Sequence, residues 1–282
     1  MEQVKRVATV NDLSGFGRCS LTVALPVLGA MGFQPCPVPT AVLSAHTGYA
    51  NPVVRDFTGD MAAYLDHWRT LELDFAGVYT GFLGNERQAD ILLPFLKEVK
   101  AQGGLCLVDP AMGDHGRLYD TCKGMVEPMK RLVGQATVAT PNLTELCLLT
   151  GYHYGLVKKD GPPRYRRSIE IMARQLLGSG CESVVVTGID QGANGQVENC
   201  VITDKEQPAV WVGSPRVERN FAGTGDVFAS VLCGYLLRGE PLQVAVEHTA
   251  AFVWEATAHT ARLDAPEQDG IAFEPYLHIL CN

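Results

Sequence analysis

The chain lacks the patterns that mark several common classes of enzyme. It has no Gly-x-x-x-x-Gly-Lys-Ser/Thr string, so a nucleotide would not be held by a Walker loop. No Gly-x-Ser-x-Gly string marks a hydrolase nucleophile, and no His-Arg-Asp or Asp-Phe-Gly string marks a protein kinase. The glycine turn at residues 14–20 lacks the third glycine of a dinucleotide fingerprint, which argues against hydride transfer.

An excess of positive charge and long apolar runs are also absent. The net charge of -8 argues against non-specific binding of nucleic acid or of an anionic membrane. The nine cysteines include no Cys-x-x-Cys pair, which indicates reduced thiols and neither a disulfide framework nor a zinc ribbon. The first residues enter a strand-like stretch directly, so we expect no signal peptide or membrane anchor and a cytoplasmic protein.

Short apolar runs alternate with longer helical patterns along the chain. The patterns predict strands at residues 4–10, 75–79, 105–108, 137–139 and 183–186, and helices at 20–31, 86–101, 143–149, 225–238 and 242–261. Alternating strands and helices form a mostly parallel sheet with helices on both faces, and residues 197–212 predict a hairpin at its edge, turning at 204–206. We expect a single α/β domain over residues 1–282.

Polar clusters follow the predicted strands, at residues 11–15, 44–48, 80–82, 109–110, 140–142 and 187–188. In parallel sheets, ligands bind at the carboxyl ends of the strands. The basic stretch at residues 158–167 is interpreted as a solvated loop that leads into a helix, in preference to a flap that contacts phosphate.

The most informative segment is Gly223-Thr224-Gly225-Asp226, a glycine turn followed by an acid at the start of a predicted helix. Exposed amides at such a turn favour an anion such as a phosphate. A carboxylate beside that anion suits an alcohol acceptor, whose proton it would accept. The segment thus suggests phosphoryl transfer to a hydroxyl, although an ordinary turn with an acidic first helical turn has the same pattern.

Asn142 and Glu145 have the spacing of a capping box, in which both side chains satisfy the amides of a helix start. The same spacing places them on one side of the first turn, where nucleotide phosphates would lie. Glu145 and Asp109 could hold Mg²⁺ there, with Asp114 as a further candidate. The structural and functional interpretations can both hold.

His46 has two open interpretations, a structural histidine or a ligand-binding one. The other histidines show no spacing typical of metal binding.

Taken together and in order, the motifs resemble those of the ribokinase-like superfamily, and within it the pyridoxal and pyridoxamine kinases of vitamin B6 salvage. The resemblance spans nearly the whole chain. It is carried by the segments at residues 43–49, 80–82, 108–114 and 140–145 and by Gly223 to Asp226.

The resemblance implies a three-layer ribokinase-like fold and an ATP- and Mg²⁺-dependent kinase, with K⁺ an open possibility as activator. It implies that Gly223, Thr224 and Gly225 cradle the γ-phosphate and that Asp226 activates the 5'-hydroxymethyl of the vitamer. The residues implied along the nucleotide and Mg²⁺ are Asp109, Asp114, Asn142, Glu145 and Thr187. Those implied around the substrate are Asn11, Ser14, Leu43, His46, Thr47, Phe82 and the flap residue Tyr119. It also implies a homodimer.

The chain departs from this family in the first loop. Many pyridoxal kinases have a serine at the position of Asn11 and an asparagine at that of Ala45. The segment at residues 11–15 is closer to the Ser-Asp-Pro-Ser-Gly turn of hydroxymethylpyrimidine kinases, which provide the alternative. Those enzymes typically carry cysteine at the position of Asp226, so the acid favours vitamin B6. A non-catalytic nucleotide or vitamin sensor is a third possibility.

Overall fold

The computed structural model describes residues 4–190 and 195–281, and its main feature is a large central sheet. The strands are β1 (Arg6–Ser14), β2 (Gln34–Leu43), β3 (Val54–Asp56), β4 (Gly77–Thr80), β5 (Leu105–Val108), β6 (Gly113–Asp114), β7 (Arg117–Leu118), β8 (Val138–Ala139), β9 (Ser183–Asp190), β10 (Gln196–Ile202) and β11 (Val210–Pro215). Within the described residues the sheet order is β11-β10-β9-β8-β5-β4-β1-β2-β3. The strands from β9 to β2 in this order run parallel, whereas β3, β10 and β11 pair antiparallel.

Helices cover both faces of this sheet. They are α1 (Ser20–Ala30), α2 (Thr58–Thr70), α3 (Glu86–Ala101), α4 (Val126–Val133), α5 (Leu143–Thr150), α6 (Tyr154–Lys159), α7 (Pro162–Gly178), α8 (Thr224–Leu237) and α9 (Leu242–Arg262). Helices α2 to α7 pack on one face and α1, α8 and α9 on the other. Successive strand residues point to opposite faces, as Leu107 and Val108 of β5 do, so both faces of the sheet are apolar. The predicted three-layer ribokinase-like α/β fold is confirmed.

The edge hairpin predicted at residues 197–212 is also present, as β10 and β11. Its turn is stabilised by Asp204, whose carboxylate accepts the backbone N–H groups of Glu206 and Gln207.

Strand β2 has no counterpart among the predicted strands because Pro35, Pro37 and Pro39 argue against a strand inside a sheet. The three prolines alternate, and the N–H groups between them face β1, as the bond from Gln34 to the carbonyl of Lys5 shows. The prolines therefore lack N–H groups only on the side away from β1. On that side β3 pairs only with Ala41 to Leu43, so the missing donors interrupt no ladder.

The interpretation of residues 158–167 as a solvated loop that leads into a helix is correct only for Asp160 and Gly161 and is wrong for the rest of the stretch. Helix α6 ends at Lys159 and α7 begins at Pro162, which leaves only Asp160 and Gly161 between helices. Within α7, Arg166 pairs with Glu198 and stacks on Trp211, so this part of the basic stretch packs against the sheet edge. The glycine and proline mark a boundary between two helices rather than an extended loop.

The carboxyl ends of β1, β4, β5, β8 and β9 meet at one rim, and the short hairpin of β6 and β7 stands beside it. The bridge between Asn142 and Thr187 continues the pairing of β8 and β9 past the last residue of β8. In the described part of the chain, no helix has the length and apolar character needed to span a membrane.

Candidate active site

The start of α8 is built to receive an anion. Gly223 is its N-cap with a left-handed φ of 71°, and no side chain caps the helix. The first amides of a helix have no intrahelical acceptor, so those of α8 are available at the rim. A Cβ on Gly223 would lie 1.8 Å from the carbonyl oxygen of Arg18, whereas one on Gly225 would meet nothing within 4 Å. Gly223 therefore makes a tight backbone contact, and Gly225 leaves open space above the turn.

Asp226 lies in the first turn of α8, half-buried, between two donors from the other end of the chain. The side-chain amide of Asn11 donates to its Oδ1 across 3.4 Å, and the backbone N–H of Ser20 faces the carboxylate. Burial raises the pKa of Asp226 to about 7, the nearby charge of Asp12 adds to the rise, and the Ser20 and Asn11 donors oppose it. A carboxyl with such a pKa can accept a proton near neutral pH.

Asp109 and Glu145 form a second acidic centre, and each is less than a tenth exposed. Thr140 donates its hydroxyl to Asp109 Oδ1 at 3.1 Å. Burial raises the pKa of Asp109, and the charges of Glu145 and Asp226 raise it further. Burial also raises the pKa of Glu145 to about 8, although the hydrogen bonds that Glu145 accepts from backbone amides lower it. These carboxylates are close enough to repel one another, and a bound cation would reduce that repulsion.

The capping box predicted at Asn142 and Glu145 is present. Asn142 Oδ1 accepts the N–H of Glu145, and Glu145 Oε2 accepts the N–H of Asn142, both at 2.9 Å. Glu145 Oε1 also accepts the N–H of Met112 at 3.0 Å, and Asn142 Nδ2 donates to the carbonyl of Gly113 at 2.9 Å. The pair thus connects α5 to the β6–β7 hairpin.

Two further nucleotide candidates lie near this pair at the rim. Asp114 is exposed on the β6–β7 hairpin, and its charge raises the pKa of Glu145. Thr187 is half-buried in β9, where its N–H donates to the carbonyl of Pro141.

The three candidate substrate residues nearest β1 lie beneath the surface. Asn11 is 1% exposed, and its Oδ1 accepts the N–H groups of Phe82 and Asp12. Ser14 is fully buried and donates to Asp12 Oδ2 at 2.7 Å. The side chain of Leu43 is buried, and its carbonyl accepts the N–H of Gly15. These contacts support the walls of the site and the base rather than present groups to open space.

The ring of His46 lies between two glycines. A Cβ on Gly17 would come within 2.2 Å of the ring, and one on Gly48 within 2.6 Å. His46 Nε2 lies 2.6 Å from the carbonyl oxygen of Gln268, and Nδ1 accepts the N–H of Gly48 at 3.1 Å. These partners fit the neutral ring with its proton on Nε2. These contacts favour the structural interpretation of His46. The neighbouring candidate Thr47 is exposed.

The remaining candidates lie on opposite sides of the rim. Phe82 follows β4 and is half-buried, and its carbonyl accepts a hydrogen bond from the hydroxyl of Thr40. Tyr119 follows the β6–β7 hairpin and is 43% exposed, and its N–H donates to the carbonyl of Met112. Burial and the charges of Glu145, Asp114 and Asp226 raise its phenol pKa, so the ring lies beside the acidic groups. Nearby Cys122 is buried, and burial raises its thiol pKa to about 11.

The acidic side chains of the site suit Mg²⁺ only when a bound ligand supplies further oxygen atoms. Among the described residues there is no group of three or more acidic, histidine or cysteine side chains placed to hold a metal alone. Asp109 and Glu145 are a pair, and Mg²⁺ commonly takes one or two carboxylates together with water and phosphate oxygens. The residues present therefore suit a Mg²⁺ ion that arrives with a nucleotide.

Three residues in contact with this site are absent from the set chosen by sequence. The backbone N–H of Ser20 faces Asp226, Asp12 accepts the Ser20 hydroxyl, and Thr140 donates to Asp109. Asp12 gave a signal, since it lies in the polar cluster of residues 11–15 that follows the first predicted strand. Ser20 gave none, because its role depends on its backbone conformation.

Comparison with known proteins assigns the family. The model of the phosphomethylpyrimidine kinase family matches residues 27–269, most of the chain. The chain belongs to this family. A pyridoxine/pyridoxal/pyridoxamine kinase of Bordetella avium is 34% identical over 93% of this chain and 87% of its own. The prediction of a small-molecule kinase related to the vitamin B6 kinases is therefore confirmed.

Solved structures agree with this assignment. A Bacteroides thetaiotaomicron protein assigned to the phosphomethylpyrimidine kinases, in a crystal form with pyridoxal, has a TM-score of 0.89 at 36% identity. The match covers 99% of this chain and 96% of that one. Pyridoxal kinase from Lactobacillus plantarum has a TM-score of 0.87 at 29% identity, covering 99% and 97% of the two chains.

Proposed function

We propose that this protein transfers the γ-phosphoryl group of ATP to the 5'-hydroxymethyl of pyridoxal, pyridoxamine or pyridoxine. The observation that carries the proposal is the position of Asp226, in the first turn of an uncapped helix and directly after Gly223 to Gly225. A proton acceptor and a row of free amides at one point match an alcohol that attacks a phosphoryl group.

In the proposed reaction, Asp226 accepts the proton of the vitamer hydroxyl as its oxygen attacks the γ-phosphorus of ATP. The bond from that phosphorus to the oxygen that bridges to the β-phosphate breaks, and ADP leaves. The amides of Gly223, Thr224 and Gly225 stabilise charge on the transferred group. Asp109 and Glu145 would hold Mg²⁺, which shields the phosphates when bound. Asp114, Asn142 and Thr187 are proposed to line the nucleotide.

The proposed substrate side is formed by Asn11, Ser14, Leu43, His46, Thr47, Phe82 and Tyr119. Three of these residues, Asn11, Ser14 and Leu43, are buried and would act through the shape of the wall. Tyr119 belongs to the flap and would close over the vitamer, which would keep water from the phosphoryl group.

Phosphorylation of hydroxymethylpyrimidine is the second candidate. It is favoured by the family model that matches and by the first loop, residues 11–15. Vitamin B6 is favoured by the acid at position 226, by the Bordetella relative and by the Bacteroides structure with pyridoxal. A sensor without turnover is less consistent with an acid and a glycine turn that are both intact.

The proposal is tested by ATP consumption in the purified protein with pyridoxal, pyridoxamine, pyridoxine or hydroxymethylpyrimidine as acceptor. We expect ADP to form in equal amount with a vitamin B6 phosphate, with the largest kcat/KM for one of the three vitamers. A larger kcat/KM for hydroxymethylpyrimidine would select the second candidate. Ligand binding without ADP formation would indicate the sensor.

Three further parts of the proposal rest on the sequence, the first of them on the family resemblance. They are a homodimer, a cytoplasmic location and a single domain over residues 1–282, of which 1–3, 191–194 and 282 lie outside the described residues. Any dependence on K⁺ is tested by replacing it with Na⁺ in the same assay.

A further inference from the structure

Asp12 is a buried acid that joins two parts of the site. It is 5% exposed and lies near the carboxyl end of β1. Ser14 donates its hydroxyl to Asp12 Oδ2 at 2.7 Å, and Ser20 donates its hydroxyl to Oδ1 at 2.5 Å. Asp12 therefore fastens the first residue of α1 to the strand that carries Asn11.

Ser20 has an unusual backbone. Its φ is 53°, in the left-handed region, which residues other than glycine, asparagine and aspartate seldom adopt. Such a conformation persists only where surrounding contacts hold it. The hydroxyl contact with Asp12 holds Ser20 in this conformation, and Ser20 is the residue whose backbone N–H faces Asp226.

On the basis of the proposed function, we propose that Asp12 is a positioning residue for the base. Its carboxylate fixes Ser20 in the left-handed conformation, and the Ser20 amide in turn fixes the direction of the Asp226 carboxylate. Asn11, one residue before Asp12, donates to the same carboxylate from the side of β1. The base is thus held by two successive residues of one strand, one directly and one through Ser20.

Asp12 also contributes a charge to the site. It faces Asp226 as a like charge and raises the pKa of the base. The other titratable groups that face Asp226 come from α1, β4, β5 and the flap; they are Cys19, Tyr79, Asp109 and Tyr119. Of these groups, Cys19 also contacts the Ser20 side chain, whereas Asp12 is the acid that accepts the Ser20 hydroxyl. Variants at position 12 can therefore separate the charge of Asp12 from its contact with Ser20.

The test compares Asp12→Asn with Asp12→Ala. Asparagine keeps an acceptor for the Ser20 hydroxyl and removes the charge, so we expect the acid limb of the kcat/KM profile to move to lower pH. Alanine removes the contact as well, and we expect kcat to fall by about tenfold or more with little change in KM for ATP. The exposed Asp60→Asn on α2 serves as the control for a lost charge remote from the site.

Ser20 provides a second pair of variants, which covers the case in which Asp12→Ala does not fold. Glycine adopts a positive φ without strain and keeps the amide, so Ser20→Gly should retain more activity than Ser20→Ala. Alanine keeps the strain and loses the hydroxyl. Equal kcat for Ser20→Gly and Ser20→Ala would overturn the proposal, as would a kcat of Asp12→Ala that matches that of wild type.

A readout without turnover separates this proposal from the function on which it rests. In hydrogen exchange of the full chain, the amide of Ser20 should exchange faster in Asp12→Ala than in wild type and Asp12→Asn. Unchanged protection in Asp12→Ala would refute the contact's role even in an active enzyme. If wild type phosphorylates no acceptor but the exchange result holds, the proposed function fails and the positioning contact stands.

Discussion

The side-chain amide of Asn11 donates to the carboxylate of Asp226 across 3.4 Å, between residues 215 positions apart in the chain. Asn11 is in turn fixed by the N–H of Phe82, which donates to its Oδ1 at 2.8 Å. A Cβ on Gly81 would come within 2.2 Å of the Asn11 amide, so the glycine provides the room. Strands β1 and β4 together therefore hold one side of the base.

This contact predicts a specific pH dependence. The base works when ionised, and burial raises the pKa of Asp226 to about 7, so kcat/KM for the acceptor should rise with pH through that value. The Asn11 bond favours the ionised form, and its loss in Asn11→Ala should raise the pKa and move the limb to higher pH. The measurement is kcat/KM against pH at saturating ATP. A limb near the ordinary value of 3.8 would contradict it.

Gly223 and Gly225 should respond differently to alanine. The φ of 71° and the nearby Arg18 carbonyl make Gly223→Ala unfavourable, by about 1–3 kcal/mol in the free energy of unfolding. Gly225→Ala should leave stability unchanged, because its Cβ meets nothing within 4 Å, and should instead raise KM for ATP or lower kcat. Chemical denaturation of the two variants distinguishes them. Equal losses of stability would show that the tight contact at Gly223 is absent.

Asn142 has a structural role that can be measured apart from turnover. Asn142→Ala removes the N-cap of α5 and the bond to the Gly113 carbonyl, and should lower the free energy of unfolding by about 0.5–2 kcal/mol. Asn142→Ser keeps a capping oxygen and should recover most of that loss. Denaturation midpoints at one pH provide the comparison. No difference between the alanine and serine variants would argue against the cap.

The sequence predicts well what depends on neighbouring residues. The spacing of Asn142 and Glu145 specifies a capping box, and the glycines before Asp226 specify a turn at a helix start. The alternation of strand and helix patterns specifies the parallel sheet. Each of these features is set by side chains within a few positions of one another, so a single sequence contains the whole signal.

Features that depend on distant partners were not predictable. Nothing in the sequence indicates that Asn11 and Asp226 meet, or that Ser20 takes a left-handed conformation between two acids. The prolines of β2 are tolerated because of the sheet position that their strand occupies, which a local pattern does not reveal. Sequence patterns locate the rim of the site, whereas the supports of the base follow only from tertiary contacts.

His46 provides a test of structural against direct substrate roles. His46→Ala removes a ring with bonds to Gln268 and Gly48, so it should lower the free energy of unfolding by about 1 kcal/mol. Thr47→Ala, at the exposed neighbouring position, should leave stability unchanged and raise KM for the vitamer if it contacts the ring. Thermal unfolding and KM of both variants are to be compared. Full stability in His46→Ala would contradict the structural role.

The central claim is that Asp226 accepts the proton of the alcohol, and its most direct test is turnover of Asp226→Asn with pyridoxal and ATP. Asparagine preserves shape but accepts no proton, so kcat should fall by about a hundredfold or more while KM for ATP changes little. Asp60→Asn, on the exposed side of α2, should match wild type. A kcat of Asp226→Asn near that of wild type, in a folded protein, would contradict the account.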